Sequence, residues 1–287
     1  MMAIQILVNH SKQRIRELLM RFKQFILATG LRLLTLCCVC AAAAAVGAKA
    51  ESNQVFGRIL AAIPKEVDAN GEIPLGDFVA DAQLMATQAV NLGRAEIALV
   101  SAGSLKNNGF NAKIYPHDVR YDEILALHPH GTDLITMKLT AQQLKYVLEQ
   151  QFVGCGGQNQ QRILQVSSGF SFSWKGNRGP CAKIWDIKLT HMDLSHSPPI
   201  PSGVVDVIAV GGVVLNPNRT YNVTVSEFLA KGGDNFTILK DGLKPTLGVS
   251  DIDAVASYLE NFKFPKPSYD PNEANLNRPR IIQLPPP

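Results

Sequence analysis

The residue types best suited to chemistry in this 287-residue chain lie in one run, Ser226-Glu227-Phe228-Leu229-Ala230-Lys231-Gly232-Gly233-Asp234-Asn235-Phe236-Thr237-Ile238-Leu239-Lys240-Asp241. A strand-like stretch, Tyr221 to Val225, leads into it. Two adjacent glycines allow a sharp turn and the close approach of a ligand to the backbone. An acid follows, then an aromatic that such a turn can hold out toward solvent. A carboxylate that accepts two hydroxyls, beside a flat ring that stacks on another ring, suits a nucleoside. The competing reading is an ordinary Gly-Asp turn between strands, with Phe236 in the core.

Phe228 to Phe236 resembles the F-L-A-x-G-G-D-G-F signature of the 5'-nucleotidase C-terminal domain family. That domain supplies most of the nucleoside pocket in secreted two-domain metallophosphatases. The same stretch also resembles the G-G-D-E-F loop of diguanylate cyclases, but their metal-handling Glu is Asn235 here.

Four further blocks carry the resemblance, in order along residues 71–262. Gly71 to Gln83 is similar to E-x-P-L-G-N-L-x-A-D-A, with Asp77 where Asn is usual. Ser101-Ala102-Gly103-Ser104-Leu105-Lys106 stands where the family has N-x-G-G-I-R. There Ser101 replaces the Asn, and Lys106 replaces an Arg whose planar fork a point charge does not reproduce. A second family Arg would fall near Ala89. Leu139 to Gln151 is similar to L-T-G-x-Q-L-x-x-x-L-E-Q-Q. Ile163 to Gly169 matches F-L-Q-V-S-G, whose first position is one of two base-clamping rings; here it is Ile163. The resemblance thus assigns a ligand set of Phe236 as stacking ring, Asp241 for ribose hydroxyls, Lys106 toward the sugar or phosphate, and Ser101, Gly103, Asp234 and Ile163 around them. Asp234 mainly shapes the turn.

These residues need positioning elements, and periodicity supplies them. Leu75, Phe78, Val79, Ala82, Met85, Ala86 and Ala89 recur at helical spacing and predict a helix over 74–91, with Pro74 in its first turn. Residues 95–100 form an apolar strand. Residues 115–127 read as a turn and short helix, and 133–139 as a strand. Thr140 caps a helix over 141–152 that buries Leu144, Val147, Leu148 and Phe152. Phe170, Phe172 and Trp174 alternate along one face of a strand and read as core. Residues 183–189 form another strand, 191–203 a proline-rich insertion, and 204–215 a strand and a turn through Gly211-Gly212. Asp251 caps a last helix to about Phe262. The resemblance implies an α/β (mixed α+β) fold of two mixed sheets with flanking helices. The domain reading is an export signal over 1–50, a lead-in over 51–70, the family domain over 71–264 and a proline-rich extended tail over 265–287.

Charge and cysteines bound the partners. The chain has 28 basic and 24 acidic residues; seven of the basic ones and one acid fall in residues 1–50, leaving 21 against 23. No basic surface for nucleic acid survives that subtraction. A basic stretch ending near Arg32, an apolar run from Leu33 to Val46 and Ala48-Lys49-Ala50 read as a cleavable signal, so the protein is expected to be periplasmic or extracellular, with no membrane span after cleavage. An uncleaved anchor is the alternative. Three cysteines leave with that signal. Cys155 and Cys181 remain as a disulfide candidate, against the alternative of two free thiols. His128 and His130 form an H-x-H pair that reads as exposed loop rather than metal site.

The family's metal-binding D-x-H, G-D and N-H-E/D motifs do not occur in residues 1–70. The expectation is therefore a nucleoside- or nucleotide-binding domain with no catalytic residue and no cofactor of its own. Divalent metals would enter only through a partner metallophosphatase chain, as in a split 5'-nucleotidase. A structural or interaction protein with a decayed pocket is the alternative.

Overall fold

Pro74 lacks an N–H and stands where a helix needs none, so it opens α1 (Pro74–Thr87). The helix buries Leu75, Phe78, Val79 and Ala82. It ends at Thr87, short of residue 91, because Ala89 turns to an extended conformation before a 3-10 turn at Val90–Leu92. The computed structural model describes residues 54–127, 131–193, 200–274 and 279–286. The proposed signal, His128 and His130 lie outside them.

Two short antiparallel pairs form apart from the large sheets: β1 (Val55–Ile59) with β5 (His117–Arg120), and β2 (Ile63–Pro64) with β4 (Gly109–Phe110). The remaining elements in chain order are β3 (Ile97–Ser101), α2 (Tyr121–Leu127), β6 (Asp133–Thr140), α3 (Ala141–Glu149), β7 (Leu164–Val166), β8 (Phe170–Lys175), β9 (Ile184–Asp193), β10 (Ile200–Val210), β11 (Val213–Val214) and β12 (Thr220–Ser226). They are followed by α4 (Glu227–Ala230), β13 (Leu243–Ser250), α5 (Asp251–Leu259), α6 (Pro271–Ala274) and β14 (Ile281–Leu284). Thr140 and Gln143 form a reciprocal capping box at α3. At α5 the cap is Ser250, whose hydroxyl accepts from the Asp253 N–H at 3.1 Å; Asp251, read from sequence as the cap, is the first helical residue.

Two mixed five-stranded sheets result, in the orders β13-β6-β12-β3-β7 and β11-β10-β9-β8-β14. The first joins β12 and β3 in parallel and is otherwise antiparallel. Phe170, Phe172 and Trp174 face the core with α3 and the inner face of the first sheet. A second core gathers α1, α5 and β1 around Phe78, Tyr258, Phe262 and Tyr269, whose rings meet edge to face.

Two further sequence readings change. The stretch read as an insertion over 191–203 is partly strand, since β9 and β10 pair as far as Asp193 and Ile200. The tail is not a separate extended segment. β14 adds in parallel to the edge of β8, and Arg280 just before it is buried. Its guanidinium grips both Asp81 oxygens at 2.8 Å, the Ser168 hydroxyl at 3.0 Å and the Val166 carbonyl at 2.8 Å. Composition alone cannot show that anchor, because Arg280 sits among prolines and its partners lie far away in sequence. Among the described residues, no helix is long and apolar enough to cross a membrane.

Candidate functional site

Strand polarity gathers the site at one edge of the first sheet. β3 and β12 are parallel neighbours, so both C-terminal ends, Ser101 and Ser226, emerge on the same side. The antiparallel partners begin there. Leu164 of β7 faces Ser101, and Leu134 of β6 faces Ser226. The end of β13 joins them, with Ser250 opposite Asp133. The connections at this edge enclose a cavity of about 370 Å³. Gly103, Ser104 and Lys106 line it from the loop after β3; Ser226, Phe228 and Asp234 from the segment after β12; Arg162, Gly131, Thr132 and Asp251 from the remaining connections.

The turn after β12 explains the double glycine. Ser226 caps α4 through its hydroxyl. Gly232 has φ +80°, and a side chain at Gly233 would strike the Phe228 ring at 2.5 Å. Asp234 and Asn235 follow with φ of 54° and 64°. Asx residues tolerate this left-handed region, though at a cost, and such strain collects where geometry matters.

Asp234 is the electrostatic centre. Its Oδ2 accepts from the Ser101 hydroxyl at 2.7 Å, and its Oδ1 lies 3.1 Å from Arg162 Nη1. Each oxygen keeps a lone pair for a further donor. Gln158 steadies the turn, donating through Nε2 to the Asp234 carbonyl at 2.9 Å. Gln158 lies in the loop that carries one end of the Cys155–Cys181 disulfide, a bridge across a sequence separation of 26. The bond settles the choice between a bridge and two free thiols. Lys106 donates to the Gly103 carbonyl at 2.9 Å and stays exposed.

Ser101, Gly103, Lys106 and Asp234 lie together in the structure. Phe236 does not join them: it is fully buried in the core beside Leu229 and Leu239. The ring that reaches the cavity is Phe228, 49% exposed, at the start of the same motif. Phe228 lies within α4 and opens to the cavity, whereas Phe236, after the Gly-Gly turn, is buried. Asp241 is exposed at the end of a 3-10 turn and lies outside the cavity lining. Ile163 points inward, 8% exposed, against Gly71. Phe228, Arg162, Thr132 and Asp251 line the cavity and were not among the ligand residues read from sequence. Thr132 is tied to Asp251 through N–H and hydroxyl contacts of 3.1 Å each. Arg162 had a sequence signal, its place directly before Ile163.

Among the described residues no group of three or more His, Cys, Asp or Glu side chains is arranged to hold a metal ion. The donor set in the cavity, mostly hydroxyls and cations with Asp234 already paired, does not fit the two-metal centre of the family's hydrolases.

Comparison with known proteins agrees with the fold. A 5'-nucleotidase-related protein of Glossina morsitans morsitans is 26% identical over 220 residues, covering 74% of this chain and 36% of that protein. A 5'-nucleotidase of Diplobatis ommata is 25% identical over 229 residues, again with 36% of its length matched. The chain thus spans about a third of the length of these relatives. Among solved structures, a 5'-nucleotidase precursor from Thermus thermophilus superposes with a TM-score of 0.60 at 24% identity, over 86% of this chain and 43% of that one. A NAD nucleotidase from Haemophilus influenzae follows at a TM-score of 0.56 and 13% identity, over 85% of this chain and 41% of that one. Residues 50–241 match the family described as 5'-nucleotidase, C-terminal domain, and the chain belongs to that family.

Proposed function

We propose that this protein binds nucleosides or nucleoside monophosphates outside the cytoplasm, as the substrate-recognition half of a nucleotide-degrading system. The observation that carries the reading is the convergence of Phe228, Asp234 and Lys106 on one cavity of about 370 Å³. Phe228 offers a ring face for a base. Asp234 offers two oxygens, each with a free lone pair, to the vicinal hydroxyls of a ribose. Lys106 gives a mobile cation for the phosphate side. The metal ions that hydrolysis needs would come with a separate metallophosphatase chain, which would present its centre to the bound phosphate. Export follows from the signal-like first 50 residues.

A second reading has an observation of its own. Both Asp234 oxygens are already engaged by Arg162 and Ser101, as expected of a turn kept for its shape. The site would then serve contacts between proteins.

Calorimetric titration of the protein with adenosine and AMP separates the two. Saturable binding that falls about ten-fold or more in Phe228→Ala is the expected result, since one stacked base is worth roughly 1–3 kcal/mol. Absence of heat at millimolar ligand, from protein shown to be folded, would reject nucleoside binding and favour the contact role.

A further inference from the structure

We propose that the Arg162 guanidinium is the second wall of the base site, opposite in role to Phe228, and that it sets the specificity of this pocket. The inference rests on the nucleoside reading above and deepens it. Among the described residues that line the cavity, Phe228 is the one aromatic. A base bound against one ring alone leaves its other face to solvent. Ile163 does not supply a second face, because it is 8% exposed and turned into the core.

Arg162, one residue earlier, does reach the cavity, with its side chain 29% exposed. Each of its three nitrogens meets a partner. Nη1 meets Asp234 Oδ1 at 3.1 Å. The Gln160 amide oxygen, in the orientation that satisfies both groups, accepts from Nε at 3.1 Å and also from Nη2. The backbone is pinned as well, the Arg162 N–H donating to the Gln151 carbonyl at 2.8 Å. A guanidinium whose edges are engaged has its flat face to offer, and that face stacks on nucleobases and other π-systems. The ion pair to Asp234 also places the plane beside the carboxylate assigned to the ribose. One bound nucleoside would then meet Asp234 with its sugar and Arg162 with its base.

A cationic wall sorts ligands by the electronics of the base. Neutral, electron-rich purines gain from it, and ligands without a base gain nothing. This distinguishes stacking from two simpler roles for Arg162, attraction of the phosphate and support of Asp234. Both simpler roles would act on ribose 5-phosphate as much as on AMP.

The test measures AMP and ribose 5-phosphate affinity, with melting temperature, for wild type, Arg162→Lys, Arg162→Phe and Phe228→Ala. Stacking predicts that Arg162→Lys, which keeps the charge and loses the plane, weakens AMP roughly ten-fold and leaves ribose 5-phosphate within about two-fold. Arg162→Phe, which restores a plane without charge, holds AMP within about three-fold of wild type. Equal loss of both ligands in Arg162→Lys, or no loss of either, overturns the stacking role while Phe228→Ala still reports a working base site. If wild type binds neither ligand, the nucleoside reading falls and this inference falls with it.

Discussion

Asp81 and Asp234 each pair with an arginine and a serine: Arg280 and Ser168 in one case, Arg162 and Ser101 in the other. The first trio is sealed. Its arginine and aspartate side chains are 3% and 5% exposed, and the guanidinium holds both carboxylate oxygens, a hydroxyl and a carbonyl. The Asp81 and Asp77 carboxylates hold the Arg280 guanidinium above its ordinary pKa even though burial alone would lower it. The second trio is open. Its pair is 29% and 16% exposed, and it faces a cavity. The same three residue types therefore fasten the C-terminal strand in one place and leave hydrogen-bonding capacity for a visitor in the other. Burial, and the number of donors already spent, make the difference.

The sharpest way to break this contrast is Arg280→Ala. It strands a buried carboxylate, and a buried pair broken on one side costs about 3–5 kcal/mol. Urea unfolding should show that loss, whereas Arg162→Ala should change stability by less than about 1 kcal/mol. Similar losses in the two variants would mean that the cavity pair is as structural as the sealed one. The serines give a finer comparison. Ser168→Ala should destabilise by about 1–3 kcal/mol, because Asp81 and Arg280 both lose a buried partner; Ser101→Ala should affect folding less than ligand affinity.

A third pair, Arg58 and Asp118, extends the series to the surface, with side chains 43% and 44% exposed. The hydrogen bond from Arg58 holds the Asp118 carboxyl below its ordinary pKa. A depressed folded-state pKa means that the contribution is complete above the unfolded carboxylate value and fades as pH falls through the folded one. Asp118→Asn should therefore match wild type in acid and fall only slightly below it near neutrality, read from melting temperature against pH. A large difference at neutral pH would show that the surface pair matters more than its exposure allows.

Three of the five strands of the first sheet, β3, β6 and β12, were legible in the residues, because apolar runs at 95–100 and 133–139, the strand-like stretch Tyr221 to Val225 and the Thr140 cap carry local signals; β7 and β13 were not read. Two of the motif blocks, at 101–106 and 228–236, follow the parallel strands β3 and β12 and so lie on one side of the sheet. What the sequence did not carry was the direction of each side chain at that edge. Phe228 and Phe236 lie eight positions apart in one motif, on either side of the Gly-Gly turn, and one ring is exposed while the other is buried. The Arg280 anchor was hidden for a different reason. Its worth depends on Asp81 and Ser168, 199 and 112 positions away, which no window of sequence brings together.

The most direct test of the central claim is an amide NMR titration of the protein with AMP. Perturbations should concentrate at Gly103, Ser104, Thr132, Arg162, Gly233 and Asp234, and leave Asp81, Ser168 and Arg280 unmoved. Shifts spread evenly, clustered away from that sheet edge, or absent at millimolar AMP would contradict a nucleotide site between Phe228 and Asp234.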